Sequence, residues 1–186
     1  MNSSIPVWQV VGYSNSGKTT CVTTIIQHLT TKHSLQVGTI KHNHKGFQMD
    51  QEGKDTWKHR QAGSALTLIQ SPDGIGLTMK TELELPLTEL VSFVQKLGKF
   101  DLILIEGYKR WAYPKIVLIR QEEDLSLINE LKNIALLLFW QSQDQQTYRQ
   151  GCQSGKYPLF PTFLLAEQQG FLNWFEGNWY NESKGD

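Results

Sequence analysis

The stretch Val7-Trp8-Gln9-Val10-Val11-Gly12-Tyr13-Ser14-Asn15-Ser16-Gly17-Lys18-Thr19 decides how the rest of the chain is read. Val7 to Val11 is a short β-rich run that stops at a glycine. Gly12 to Thr19 then fits the pattern GxxxxGK[ST] without deviation, and helical spacing begins after Gly17: Val22, Ile25, Ile26 and Leu29 fall on one face. Strand, glycine-rich loop and helix in this order form a cradle for phosphate. The glycines let successive backbone N–H groups turn inward, and the helix aims its positive end at the same point. A lysine at position 18 reaches terminal phosphates, and a hydroxyl at position 19 suits magnesium. Tyr13, Ser14, Asn15 and Ser16 supply the rest of the loop, and Thr20 follows on the helix, so Gly12 to Thr20 is the nucleotide-binding candidate.

Working outward, Gln36 to Lys41 is a second strand, His42 to Thr56 a polar loop, and Asp55 to Gln61 a short helix closed by Gly63. Ala65 to Ile69 is strand-like, Ser71-Pro72-Asp73-Gly74 is a turn, and Ile75 to Leu85 is a hairpin arm. Pro86 opens a helix whose apolar face is Leu87, Leu90, Val91 and Val94, ending at Gly98. Leu102 to Ile105, Lys115 to Ile119 and Ile134 to Phe139 are continuous apolar runs, the kind buried on both faces of a parallel sheet. A last helix covers Glu167 to Phe175, and a frayed polar tail is expected after Gly177. The expected fold is α/β: a three-layer, P-loop NTPase-type arrangement with a mostly parallel sheet and a hairpin extension, in a single domain over 1–186.

A phosphate-binding loop with magnesium calls for a carboxylate at a neighbouring strand end, and Glu106 follows the apolar run Leu102 to Ile105. Lys18, Thr19 and Glu106 are therefore the candidates for phosphate and metal. Lys109 is a candidate for phosphate or a partner, against the alternative of a solvated lysine. His42, His44 and Asp50 cluster after the second strand, but a zinc site there lacks further ligands at clear spacing. The same loop is placed to sense a terminal phosphate or to meet substrate.

Bulk properties exclude other classes. The chain has 18 Lys and Arg against 18 Asp and Glu, so there is no basic excess of the kind that broad nucleic-acid binding uses. The longest apolar run, Ile134 to Trp140, is far short of the roughly 20 residues a membrane helix needs. Two cysteines, Cys21 and Cys152, give no disulfide framework. With no signal-peptide pattern at the start, these features lead to an expected cytoplasmic location, without nucleic acid or membrane as partner.

Five pieces together resemble the MobB family, adaptors of molybdopterin-guanine dinucleotide biosynthesis. They are Gly12 to Thr20, Thr39-Ile40-Lys41-His42-Asn43-His44, Asp50-Gln51-Glu52-Gly53-Lys54-Asp55-Thr56, Ala62-Gly63, and Leu104-Ile105-Glu106-Gly107-Tyr108-Lys109. They cover about residues 5 to 120; the region beyond matches poorly. The resemblance implies a homodimer that binds GTP with magnesium. It also implies a MobA-type guanylyltransferase as partner, molybdopterin or its guanine dinucleotide as the molecule handled, and at most slow GTP hydrolysis. By position it carries Lys18 and Thr19 over as phosphate and magnesium contacts, Glu106 as the strand-end acid, and Asp50 as a further group near the magnesium. Lys18, Glu106 and Asp50 would serve any hydrolysis. Lys41, His42, His44, Lys54, Asp55 and Lys109 form a candidate substrate or switch surface. No Asn-Lys-x-Asp signal for guanine follows the strand Ile134 to Phe139.

Two other classes compete. A small-molecule kinase would want an arginine-rich lid, and the four arginines, Arg60, Arg110, Arg120 and Arg149, are scattered in sequence. A metallochaperone-type GTPase would use His42 and His44 to carry a metal. Of the six tryptophans, Trp111, Trp140, Trp174 and Trp179 lie where partner surfaces or core edges are expected.

Overall fold

The computed structural model describes residues 5–43, 46 and 50–182. The chain forms two compact units: residues up to 42 together with those from 90 onward, and the segment 43–89. In the first, β1 (Val7–Val11), β2 (Val37–Lys41), β5 (Leu102–Glu106), β6 (Lys115–Ile119), β7 (Ile134–Phe139) and β8 (Thr162–Leu164) form a six-stranded sheet, ordered β2-β5-β1-β6-β7-β8, with every pairing parallel. The intervening helices are α1 (Lys18–His33), α3 (Leu87–Leu97), α4 (Leu127–Glu130, entered through a 3-10 turn), α5 (Ser142–Gln153) and α6 (Gln168–Glu182).

Alternation along each strand feeds two cores. Trp8, Val10, Leu102, Leu104, Ile116, Leu118, Leu136 and Leu138 pack with Cys21, Val22, Ile25 and Leu29 of α1 and with Phe171, Leu172 and Phe175 of α6. The other face, with Val11, Val117, Ile119, Leu137 and Phe139, is covered by Leu125, Leu127, Ile128 and Tyr148. The expected three layers and parallel sheet are therefore present. α1 holds despite its threonines because the cluster buries its apolar stripe. Thr23 and Thr30 turn their hydroxyls back onto carbonyls one turn earlier.

The structure departs from the sequence-based expectation at several elements. The helix after Glu167 runs on through Gly177 to Glu182, so the frayed tail expected after Gly177 is helical up to that point. It is held there by the side chains of Trp174 and Phe175 and the Trp179 carbonyl, which all meet Trp8. β8 and α5 were not anticipated. β8 has only three residues, and α5 reads Ser-Gln-Asp-Gln-Gln-Thr-Tyr-Arg-Gln-Gly-Cys-Gln, with Tyr148 as its single fully buried anchor. Lys115, which opens an otherwise apolar strand, is completely buried. Its ammonium donates to the carbonyls of Trp111 and Tyr113, pinning the loop that follows Glu106, and burial pushes it down to about 8.

The second unit contains α2 (Asp55–Gln61), closed by Gly63 as expected, and a hairpin of β3 (Leu66–Ser71) and β4 (Gly74–Met79). Ser71 pairs with Gly74 across a two-residue turn, Pro72-Asp73, and the second arm ends at Met79, short of the Leu85 expected. Among the described residues no helix is long and apolar enough to cross a membrane.

Candidate functional site

The parallel register puts three chemical groups in one row. Val10 lies opposite Glu106, and Glu106 lies opposite Lys41, so the loop leaving β1, the carboxylate ending β5 and the lysine ending β2 share the carboxyl edge of the sheet. There the Thr19 hydroxyl donates to the Glu106 carboxylate, at 3.0 and 3.1 Å from its two oxygens. The Lys41 ammonium stands between the same groups, 2.5 Å from Glu106 Oε1 and 3.2 Å from Thr19 Oγ1. A buried carboxylate needs a counter-charge, and Lys41 supplies it.

The loop itself is tightly braced. Asn15 and Gly17 are left-handed, with φ of 59° and 86°. A Cβ at Gly17 would stand 3.0 Å from the Trp140 ring, so both backbone conformation and space call for glycine there. The Trp140 indole N–H donates to the Ser16 carbonyl at 2.8 Å. A guanidinium N–H of Arg120 donates to the Asn15 carbonyl at 3.0 Å, and its centre lies 5.8 Å from the Trp140 ring. Lys18 curls back over the loop, with Nζ 2.6 Å from the Tyr13 carbonyl and 3.3 Å from that of Gly12. Burial lowers its pKa, the Glu106 charge opposes that, and Lys41 and Lys109 add to it. Among the described residues the buried Ser16 hydroxyl has no hydrogen-bond partner.

After Glu106 the chain turns through two left-handed residues, Gly107 (φ 98°) and Tyr108 (φ 56°). Gln9, buried in β1, holds that turn by donating to both their carbonyls, at 3.1 and 2.8 Å. A Cβ at Gly107 would come 3.1 Å from that of His42, whose ring stacks on Tyr108 with centroids 4.3 Å apart. Lys109 places its ammonium 4.4 Å from the centroid of the Tyr13 ring.

The site thus gathers Gly12 to Thr19, Lys41, His42, Glu106 and Lys109. Thr20 is exposed on α1. His44 lies outside the described residues. Asp50, Lys54 and Asp55 belong to the second unit. There Asp50 accepts a 2.7 Å hydrogen bond from Thr56 and lies 3.8 Å from Arg60, Lys54 precedes α2, and Asp55 pairs with Lys58 at 3.2 Å. Gln9, Arg120 and Trp140 join the site without any motif that marks them. Gln9 holds the turn after Glu106 from β1, while Arg120 and Trp140, just past β6 and β7, meet on the Gly12–Thr19 loop, and nothing in their local sequence signals either contact.

The donor set suits magnesium: a carboxylate and a hydroxyl are hard oxygen ligands, and they converge beside the Gly12–Thr19 loop. The family model for MobB, molybdopterin guanine dinucleotide synthesis protein B, matches residues 7–139. The chain belongs to this family. The MobB match carries the likeness through β7, beyond the point near residue 120 where the sequence motifs end. The Bacillus subtilis probable molybdopterin-guanine dinucleotide biosynthesis adapter protein is 31% identical over 170 residues, 89% of this chain and 94% of its own length. The Haemophilus influenzae adapter protein is 38% identical over 122 residues, 66% of this chain and 67% of its own. The crystal structure of Bacillus subtilis MobB superposes with a TM-score of 0.72 at 28% identity, covering 97% of this chain and 99% of that one.

Proposed function

We propose that this chain is an adapter in molybdopterin-guanine dinucleotide biosynthesis that binds magnesium–GTP at the Gly12–Thr19 loop and assists a MobA-type guanylyltransferase. The observation that carries the reading is the meeting of the Thr19 hydroxyl and the Glu106 carboxylate beside Lys18. Thr19 and Glu106 would hold magnesium, which neutralises charge on the β- and γ-phosphates when bound. Lys41 would then give up Glu106 and turn its ammonium toward phosphate, an exchange of one cation for another on the same carboxylate. Lys18 would leave the Tyr13 and Gly12 carbonyls for phosphate oxygens. His42 and Lys109 would meet the substrate or partner, and Asp50, Lys54 and Asp55 of the second unit remain candidates for the same task.

Slow turnover belongs to this reading. Arg120 is the arginine that reaches the loop among the described residues of this unit, and it already bonds the Asn15 carbonyl and faces Trp140. An arginine free to stabilise a transferring phosphoryl group can be worth about 10³–10⁵ in rate, and a partner would have to supply it. Isolated protein should hydrolyse GTP on the order of 10⁻³ per second or slower. With a MobA-type guanylyltransferase, molybdopterin and GTP, it should raise dinucleotide formation. Rapid hydrolysis by the isolated protein, or dinucleotide formation that does not respond to it, would refute the adapter reading.

The hairpin supports a homodimer. Leu66, Leu68, Ile69, Ile75, Leu77 and Met79 are all exposed on a two-stranded sheet, an arrangement that is marginal in water without a covering surface. A second copy would cover these side chains and pair the free strand edges. Sedimentation at micromolar concentration should give twice the 21.3 kDa chain mass. Leu68→Lys with Ile75→Lys should shift the protein to monomer; a clean monomer of the unaltered chain defeats the claim.

A further inference from the structure

At the far end of α1 from the phosphate loop, three side chains aim their ligand atoms at one point. His28 Nε2 lies 3.0 Å from Glu176 Oε2, and His33 Nε2 lies 2.9 Å from Glu176 Oε1. One ligand atom from each of the three falls within 4.8 Å of the other two. The histidines sit at the end of α1 and the glutamate on α6, 143 residues beyond His33 in sequence. His28 is nearly enclosed, with 13% of its side chain exposed, while Glu176 keeps 28%.

We propose that His28, His33 and Glu176 form a binding site for a zinc-class divalent cation that fastens α6 to α1. Two imidazoles and a carboxylate are a borderline donor set that matches zinc, with the exposed side left for a water. Metal–ligand bonds of about 2.0–2.1 Å place tetrahedral ligand atoms about 3.4 Å apart, so the two His–Glu spacings need to open by only a few tenths of an ångström. Lys32 is the competitor. Its ammonium lies 3.1 and 2.8 Å from the two Glu176 oxygens, but half of its side chain is in water and it can leave at little cost.

The site is remote from the chemistry at Lys18. Fifteen residues of helix separate Lys18 from His33, about 22 Å. What the metal would secure is the lid over Trp8: α6 stacks Phe175 edge-on to that indole at 5.0 Å, and its Trp179 carbonyl accepts the indole N–H. This inference stands apart from the nucleotide reading, and either can fail alone.

The test is a zinc chloride titration of the full chain, followed by calorimetry and by thermal unfolding. The expected result is one zinc per chain and a Tm rise of about 5–10 °C at zinc a hundred times its Kd. His28→Asn with His33→Asn should abolish both. Glu176→Gln, which keeps the side-chain shape, should weaken binding at least tenfold even if the double variant does not fold. Lys32→Ala should tighten it. Cobalt substituted for zinc should show no thiolate-to-metal absorption band, which separates this site from Cys21 and Cys152. Absence of zinc binding, or binding that survives Glu176→Gln unchanged, overturns the proposal.

Discussion

Lys18→Ala should cost at least about 100-fold in nucleoside triphosphate affinity while leaving the fold intact. Among the described residues the Lys18 ammonium hydrogen-bonds carbonyls of its own loop, those of Tyr13 and Gly12. Its removal therefore spares both apolar clusters flanking the sheet. On the proposed reading the substitution would remove a cation from the terminal phosphates, a charge-assisted bond worth about 1.5–3 kcal/mol in its own right. Loss of the ammonium also leaves phosphate charge uncompensated in a partly desolvated loop, which adds to that cost. Each tenfold in affinity is about 1.4 kcal/mol. Calorimetric titration of both proteins, with circular dichroism and thermal melts alongside, gives the comparison. A folded variant with unchanged affinity would remove the phosphate-loop assignment.

Glu106→Gln should weaken binding about 10–100-fold when magnesium is present and far less in EDTA. The substitution keeps the side chain's size and one of its acceptor oxygens, so the Thr19 hydroxyl still finds a partner. It removes the anion that balances Lys41 and that the proposed metal would require. The metal dependence separates the two roles of the residue. If Glu106 only orders the turn at Gly107 and Tyr108, losses with and without magnesium would be equal, and the metal assignment would fall.

The parts of this architecture that the sequence revealed are those whose signal is local. β1, the loop and α1 follow from a motif and an apolar stripe confined to about two dozen residues. β5, β6 and β7 follow from unbroken apolar runs, because a strand covered on both faces has no polar side to present. α5 escaped because Tyr148 alone anchors it fully and its remaining surface is polar, leaving no periodic stripe to find. α6 runs on past Gly177 because its packing partner, Trp8, lies at the other end of the chain. The same limit governs the site. Thr19 and Glu106 were nominated separately by motif and by strand end. That Lys41 joins them depends on β2 lying beside β5, and strand order is set by how the whole sheet packs. Arg120 and Trp140 brace the loop from β6 and β7 for the same reason. The clasp of His28, Lys32 and His33 on Glu176 spans more than 140 residues and leaves no pattern in either segment.

Trp140 directly follows β7. It stands beside the loop, with nearly half its surface exposed, and no Asn-Lys-x-Asp motif accompanies it. Guanine preference therefore has to be measured. Calorimetric titration of the unaltered chain with GTP and with ATP, each with magnesium and then with EDTA, tests the central claim most directly. The account predicts one GTP per chain, bound more tightly than ATP and weakened when magnesium is withdrawn. Failure of GTP to bind, or ATP bound as tightly as GTP, would contradict it outright.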